Sequence, residues 1–358
     1  MSGEGSVGAA LAEVEKQLAA LWAPEPGAPP KTRVSTANLV VLAASARRDA
    51  TVALLDQMTS PEVARTLLVS VDPRLPAETL QAEVNARCRR GEGGLLCAER
   101  IDLTLGQALV GRAASILSAL CVAEVPTVIV ALDPVAPELV ASLARLGDRL
   151  IVDSRALGPE RVYRMTSELP CRAVDLAWER LAPWRRQLAA CFDDEPFRSA
   201  LGSVERVTAA FTTVDEASTP LSTRLMLGWL ASRLNWTIAS PDRALDAKGR
   251  PVALEFGPEW GSDLPPGSLV SFTLESPSGP APFSARVRQG GPPAELVIER
   301  SAAGRDEPPR RSPLLSAPLH DLLDHAIDDP WPDDAWRQAL GIAVRMPAEA
   351  LSVRGGVP

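Results

Sequence analysis

The sequence has almost no histidine, and its two examples, His320 and His325, lie five positions apart. Side chains on one face of a helix are three or four positions apart, so this spacing does not bring both imidazoles onto one face. There is no GxSxG motif, and no cysteine has a histidine near it in the sequence. The sequence therefore predicts no catalytic residues and no metal site.

Glycine-rich phosphate-binding loops are also missing. A dinucleotide-binding fingerprint needs glycines in a turn that leaves a strand and opens a helix. The one glycine cluster, at 91–94, precedes a predicted strand instead, and the turns that follow predicted strands contain Ser45, Asp72 and Asp133. No GxxxxGK[ST] motif is present. The sequence therefore predicts no cofactor.

Positive charge is in deficit, and long apolar runs are absent. The formal net charge of -8 argues against a nucleic-acid-binding protein, whose affinity comes mainly from cations that face phosphates. No stretch approaches the roughly 18 apolar residues that span a bilayer, and the start of the chain lacks the pattern of a secretory signal. We therefore expect a cytoplasmic protein that binds neither nucleic acid nor membrane.

Cysteine is sparse, widely spaced and odd in number. The five cysteines form no CxxC pair and no mixed cluster with histidine. Disulfides are rare in the cytoplasm, so all five are predicted to be reduced thiols. They are Cys88, Cys97, Cys121, Cys171 and Cys191.

A chain of 358 residues with 46% hydrophobic and 23% charged residues is long and apolar enough for two folded domains. Residues 1–30 predict an amphipathic helix followed by a proline-rich linker at 24–30. The helix carries an apolar stripe at Val7, Leu11, Val14, Leu18 and Leu21. Such a stripe needs a surface to cover, either the body of this protein or a partner, and the sequence leaves both possibilities open.

Residues 31–196 alternate between strand-type and helix-type patterns. Strands separated by helices imply crossover connections and a largely parallel sheet with helices on both faces, so we predict a Rossmann-like α/β domain. The predicted strands are 37–44, 66–71, 94–103, 126–132 and 148–153. The predicted helices are 49–58, 107–122, 136–146 and 159–169.

Residues 197–345 follow a different pattern. After one helix at 220–234 come short runs in which apolar and polar residues alternate, separated by Gly/Pro/Ser turns. Alternation of this kind is typical of antiparallel strands with one buried and one wet face. We predict an α+β domain with an antiparallel meander, closed by helices near 319–327 and 333–343 and followed by a tail at 346–358.

The most unusual segment is DLAWERLAPWRRQLAACFDD at 175–194, where two tryptophans lie six residues apart among arginines and acids. Large aromatic side chains are usually mostly buried, so Trp178 and Trp184 are candidates for core packing. Tryptophan and arginine also dominate the binding hot spots of protein interfaces. The sequence therefore supports two interpretations, a core segment and a partner-facing patch.

This segment resembles the signature of the OpcA family of glucose-6-phosphate dehydrogenase assembly proteins. The matching positions, in order, are Asp175, Leu176, Trp178, Arg180, Leu181, Pro183, Trp184 and Arg185. The stretches at 148–155 and 228–236 are similar to other parts of the family pattern. Two strands, at 63–69 and 126–132, depart from it and indicate a divergent branch.

The resemblance implies a non-catalytic factor of the oxidative pentose phosphate pathway. Such a factor binds glucose-6-phosphate dehydrogenase and promotes its active oligomer, as an allosteric activator. The resemblance assigns partner-binding roles to Asp175, Trp178, Arg180, Trp184, Arg185, Arg149 and Arg155.

Two alternatives remain open from the sequence. One is a sugar-phosphate- or nucleotide-binding α/β protein with its ligand at the ends of the first-domain strands. In that case Arg47, Arg48, Arg149 and Arg155 would contact the phosphate. The other is a scaffold for a different metabolic enzyme.

Overall fold

The computed structural model describes residues 3–23, 26–27, 29–92, 94–169, 171–212, 219–260, 264–278, 282–291, 294–314, 317–328 and 334–346. The chain forms two compact units. The first comprises residues 1–176 and 318–332, and the second comprises residues 177–317 and 333–358.

The strands, in chain order, are β1 Lys31–Arg33, β2 Asn38–Ala44, β3 Arg65–Val71, β4 Leu80–Gly91, β5 Gly94–Leu105, β6 Thr127–Ala131, β7 Arg149–Val152, β8 Arg172–Asp175, β9 Arg206–Phe211, β10 Thr237–Ser240, β11 Arg243–Leu245, β12 Pro251–Pro258, β13 Leu269–Ser276, β14 Phe283–Gln289, β15 Glu295–Ala302, β16 Arg305–Asp306 and β17 Arg310–Pro313. The α-helices are α1 Gly3–Leu21, α2 Arg48–Leu55, α3 Ala113–Ser118, α4 Pro137–Leu143, α5 Ser154–Leu157, α6 Pro159–Ser167, α7 Leu176–Glu179, α8 Ala182–Ala190, α9 Phe197–Ala200, α10 Leu221–Leu234, α11 Leu319–Asp328 and α12 Asp334–Ala343.

The first unit is built on a sheet with the order β1-β5-β3-β2-β6-β7-β8, with β4 paired to β5. The strands β5, β3, β2, β6, β7 and β8 are all parallel to their neighbours on this path. Counted along the chain they follow the order 3-2-1-4-5-6, which is that of the Rossmann fold. The predicted Rossmann-like α/β fold is therefore confirmed.

The central strands β2, β3 and β6 contain continuous apolar runs because both faces of the sheet are covered. In β2, residues 39–43 are all at most 4% exposed. One face packs against α2 and α11, where Leu55, Leu323 and Ala326 join the core cluster. Short apolar runs with no alternation are what such buried strands need, and this is why the sequence predicted them well.

A long hairpin, β4–β5, was only half predicted. Gly91 and Gly94 are the last paired residues before the turn, and the register places Cys88 directly opposite Cys97. These two cysteines form a disulfide with Cα atoms 4.0 Å apart. The prediction of five reduced thiols is therefore wrong for this pair, because strand pairing across the turn joins residues that look unrelated in the sequence. Cys121 and Cys191 keep free thiols.

Helix α1 packs on β4 of its own unit. Its Val7 and Val14 are buried, and the side-chain Oε1 of Gln17 accepts a hydrogen bond from the backbone N–H of Val84 at 3.3 Å. The apolar stripe therefore covers the body of this protein, which was one of the two possibilities left open by the sequence. Of the predicted linker at 24–30, the structure describes residues 26–27 and 29–30.

A buried carboxylate ties the residue after α1 to the sheet. Glu99 of β5 accepts hydrogen bonds from Trp22 Nε1 at 2.5 Å, from Arg33 at 2.9 Å and from Arg65 Nε at 2.7 Å. Burial raises the pKa of Glu99, and the hydrogen bond from Trp22 and the charge of Arg33 oppose that rise. Removing one partner of such a buried cluster would leave charge without compensation.

The second unit is built on a sheet with the order β10-β11-β12-β9-β13-β14-β15-β16, with β17 paired to β15. All its pairs are antiparallel except that of β9 with β12. Buried and partly exposed residues alternate along β9 and β14, as expected for a sheet with one core face. The predicted antiparallel meander is confirmed, with β9 inserted between β12 and β13, parallel to β12 and antiparallel to β13.

The two units divide the chain differently from the predicted boundary at 196/197. Residues 177–196 belong to the second unit, where Arg300 of β15 donates to the carbonyl of Cys191 at 3.0 Å and to Asp194 at 2.6 Å. Residues 318–332 belong to the first unit, where Asp324 accepts hydrogen bonds from the backbone N–H groups of Thr59 and Ser60 at 2.8 and 2.9 Å. The division into two separately folding domains stays a prediction, and residues 347–358 of the predicted tail lie outside the described residues.

Among the described residues, every helix is too short or too polar to cross a lipid bilayer.

Candidate functional site

The tryptophan–arginine segment begins at Asp175, the last residue of β8 in the first unit. Its side chain is 1% exposed and accepts two hydrogen bonds from Ser154, one from the backbone N–H at 2.8 Å and one from Oγ at 2.5 Å. The neighbouring Asp153 caps α5 by accepting the N–H of Arg155 at 3.1 Å. Asp175 therefore fixes the short helix that carries Arg155 at the carboxyl edge of the sheet, where Arg155 is exposed.

The two tryptophans of the segment are buried. Trp178 is 1% exposed and Trp184 is 4% exposed. The guanidinium carbon of Arg185 lies 3.4 Å from the centroid of the Trp178 ring, and Arg185 Nη1 donates to the Trp178 carbonyl at 2.5 Å. Helix α8 packs on β14 and β15. The burial of both indoles is what the core-packing interpretation predicts.

The seven predicted partner-binding residues are divided between the two units. Arg149, Arg155 and Asp175 belong to the first unit, and Trp178, Arg180, Trp184 and Arg185 belong to the second. Arg149 and Arg155 lie at opposite ends of β7. Arg149 Nη1 donates to the carbonyls of Ala326 and Ile327 at the end of α11, at 2.8 and 2.7 Å. A role of these residues in partner binding stays a prediction.

The phosphate-binding arginines of the alternative interpretation do not converge either. Arg47 pairs with Asp133 at 2.9 Å, and Arg48 pairs with Asp102 at 3.0 Å. Arg149 is at the amino edge of the sheet, whereas open α/β sheets bind ligands at the carboxyl edge. These arginines therefore do not form one phosphate site.

The strand order reverses between β2 and β6, and this switch point is where a Rossmann fold holds a dinucleotide. The turn after β2 is a 3₁₀ turn, Ser45–Arg47, without glycine. The backbone N–H of Ala44, at the start of that turn, donates to Asp133 Oδ2 at 3.1 Å. The residues present do not fit the pyrophosphate of a dinucleotide, because a carboxylate of the chain occupies that position.

A cavity of about 520 Å³ lies at the opposite, amino edge of the same sheet. Three of its polar side chains make hydrogen bonds to other parts of the chain. Asn38 Nδ2 donates to the Val122 carbonyl at 3.0 Å, Thr36 Oγ1 donates to the Val63 carbonyl at 2.9 Å, and Asp148 accepts the N–H of Thr127 at 2.8 Å. These three side chains are therefore committed to other parts of the chain.

The described residues also contain no assembled reaction centre. No three His, Cys, Asp or Glu side chains among them lie close enough to hold a metal ion. The Nε2 atom of His320 lies 3.4 Å from Oδ1 of Asp321. Burial raises the pKa of the Cys191 thiol to about 11, so this thiol is protonated at neutral pH and is a poor nucleophile.

Sequence reasoning missed Asp133 and Ser154, which organise the carboxyl edge of the sheet. The available signals were local: Asp133 directly follows an apolar strand, and Ser154 follows another. The groups that these side chains reach depend on the order of the strands in the sheet. That order cannot be read from the sequence.

We expect Trp178→Ala and Trp184→Ala to lower the free energy of unfolding by about 3–5 kcal/mol each, because each removes a large buried side chain. Chemical denaturation monitored by circular dichroism measures this. The control is Trp260→Ala, since Trp260 is 60% exposed and its removal should change stability by about 0.5 kcal/mol or less. Equal stability of all three variants and the original chain would contradict the core assignment.

Two family models match this chain along most of its length. The model described as the glucose-6-phosphate dehydrogenase subunit N-terminal domain matches residues 56–168. The model described as the C-terminal domain of the same subunit matches residues 171–340. Both models carry the OpcA name.

Curated relatives from cyanobacteria give the same family. A protein of Nostoc punctiforme, provisionally named OxPP cycle protein OpcA, is 33% identical over 168 residues, which are 44% of this chain and 35% of that protein. A protein of Synechocystis with the same name is 30% identical over 172 residues, 45% of this chain and 35% of that protein. The chain thus matches about a third of the length of these relatives.

Solved structures with a similar arrangement are oxidoreductases. A 3-ketoreductase mutant from Actinomadura kijaniata, in complex with TDP-benzene and NADP, covers 87% of this chain and 96% of its own, at 13% identity and a TM-score of 0.45. An oxidoreductase from Sinorhizobium meliloti covers 87% and 88%, at 12% identity and a TM-score of 0.44. Similarity this low carries no argument about function. From the two family-model matches and the cyanobacterial relatives, the chain belongs to the OpcA family.

Proposed function

We propose that this chain is a non-catalytic assembly and activation factor that binds glucose-6-phosphate dehydrogenase and promotes its active oligomer. The observation that carries the proposal is the match of both subunit domain models, to residues 56–168 and 171–340. A factor that binds the active oligomer more tightly than the inactive form shifts the population by that difference in affinity. The predicted cytoplasmic location and the absence of nucleic-acid binding belong to this proposal.

The chemistry of the described residues supports a role without catalysis. At the carboxyl edge of the sheet, Asp133 is engaged by Arg47 and by the backbone N–H of Ala44, and Asp175 is engaged by Ser154. A general base or nucleophile needs a group that is free to reach a substrate. Side chains committed in this way instead make a rigid body that presents its outer surface to a partner.

Two exposed side chains are the contacts that we propose, one on each unit. Arg155 is exposed on α5, whose position is fixed by Asp175 and Asp153. Trp260 follows β12 and is 60% exposed. Arginine and tryptophan are the residue types that most often carry binding energy in protein interfaces. Asp175 and the buried tryptophans of the segment act as positioning residues in this proposal.

The direct test uses the dehydrogenase encoded in the same genome. We expect the purified chain to co-elute with that enzyme in size-exclusion chromatography, to increase its oligomer mass by light scattering and to raise its activity. Co-elution with a different metabolic enzyme in a pull-down, and not with the dehydrogenase, would favour the scaffold alternative. The proposal would be refuted if the chain did not co-elute with the dehydrogenase and did not change its activity.

We expect Arg155→Glu and Trp260→Ala each to weaken binding to the dehydrogenase by roughly tenfold or more, while leaving the unfolding midpoint unchanged. Surface-immobilised binding measurements give the affinity, and thermal unfolding gives the control on folding. The matched control is Arg145→Glu, which reverses the charge of another exposed arginine of the first unit. Loss of binding in Arg145→Glu as large as in Arg155→Glu would point to net charge instead of a specific contact.

A further inference from the structure

The carboxyl edge of the parallel sheet shows how a Rossmann-type sheet can exist without its customary ligand. At the switch point between β2 and β6, a dinucleotide-binding protein offers backbone N–H groups to a pyrophosphate. Here the strand order is retained, but a carboxylate from the turn after β6 lies over the turn after β2.

Asp133 makes the two contacts that a phosphate would make at that point. Its Oδ2 accepts the N–H of Ala44 at 3.1 Å, and its Oδ1 lies 2.9 Å from Arg47 Nε. The side chain is 7% exposed, whereas that of Arg47 is 67% exposed. A backbone donor and a guanidinium that converge on one buried anionic group form an anion site in which the anion belongs to the chain.

The residue position that binds the ribose in dinucleotide-binding folds is likewise paired with another residue of the chain. That position is an acidic residue at the end of the second strand, which accepts hydrogen bonds from the sugar hydroxyl groups. Here Asp72, at the end of β3, accepts Arg74 Nε at 2.9 Å and Arg74 Nη2 at 2.7 Å through its two oxygens. The hydrogen bonds from Arg74 lower the pKa of Asp72 to about 2, so the carboxylate is charged and paired.

The turn after β2 is further attached to the neighbouring strand. Ser45 Oγ donates to the carbonyl of Val71, the last residue of β3, at 2.5 Å. The hydroxyl that could otherwise turn toward a ligand is thereby held within the sheet edge. The pyrophosphate and the adjoining ribose of a dinucleotide would therefore each have to displace contacts that the chain makes with itself.

We infer that Asp133 is an internal substitute for a phosphate and that it keeps the switch point closed to dinucleotides. A ligand phosphate that entered would have to displace Asp133 and leave its carboxylate buried without a partner, which is unfavourable. The inference is separate from the proposed partner, because it concerns only residues of the first unit.

Removal of the carboxylate should expose the anion site. In isothermal titration at low ionic strength, we expect the original chain to give no heat with millimolar inorganic pyrophosphate, NAD or NADP. Asp133→Ala should bind pyrophosphate roughly tenfold to a hundredfold more tightly than the original chain, since a charge-assisted hydrogen bond has about that effect on affinity. Adding Arg47→Ala to this variant should abolish the gain.

The matched control is Asp148→Ala, which removes a carboxylate that accepts the N–H of Thr127 at the opposite edge of the same sheet. It should not gain pyrophosphate binding. If Asp133→Ala fails to fold, as judged by near-UV circular dichroism, Asp133→Asn keeps the volume, removes the charge and should show a smaller gain. Pyrophosphate or dinucleotide binding by the original chain that Arg47→Ala abolishes would overturn the inference, as would an Asp133 variant that folds and gains nothing.

Discussion

Aspartate carboxylates that accept backbone N–H groups hold the ends of the parallel strands in the first unit. Asp133 takes the N–H of Ala44 at 3.1 Å, and Asp175 takes that of Ser154 at 2.8 Å, both at the carboxyl edge. At the amino edge, Asp148 takes the N–H of Thr127 at 2.8 Å. Strand ends leave backbone donors that need acceptors, and in many α/β proteins a ligand supplies some of them. Here the chain supplies them itself, and the consequence is a Rossmann-type sheet without an open anion site at its switch point.

The parts of the fold that the sequence predicted are those in which the pattern is local. Strands buried on both faces, such as β2 and β6, are short apolar runs, and the alternating strands of the second unit show period two. The strand β4 was missed because it lies at an edge and is polar along much of its length. The position of residues 318–332 was missed because it depends on contacts more than 100 positions apart in the sequence, such as that of Arg149 with the end of α11.

The candidate segment shows a different limit of sequence reasoning. Tryptophan and arginine favour both domain cores and interface hot spots, so composition alone does not separate the two. In the structure both indoles are buried, and the guanidinium of Arg185 lies over the Trp178 ring at 3.4 Å from its centroid. The resemblance of the segment identified the family correctly, although the residues that carry the resemblance are largely buried. A family signature can therefore mark residues that build the scaffold instead of residues that touch a partner.

We propose that this chain acts by holding the dehydrogenase and binds no dinucleotide of its own. Native mass spectrometry of the chain mixed with the dehydrogenase and NADP tests both parts in one spectrum. We expect a mixed complex that carries as many NADP molecules as its dehydrogenase subunits bind without the chain. We also expect the free chain to carry no nucleotide. A free chain that retains NADP, or a spectrum with no mixed complex, would contradict it.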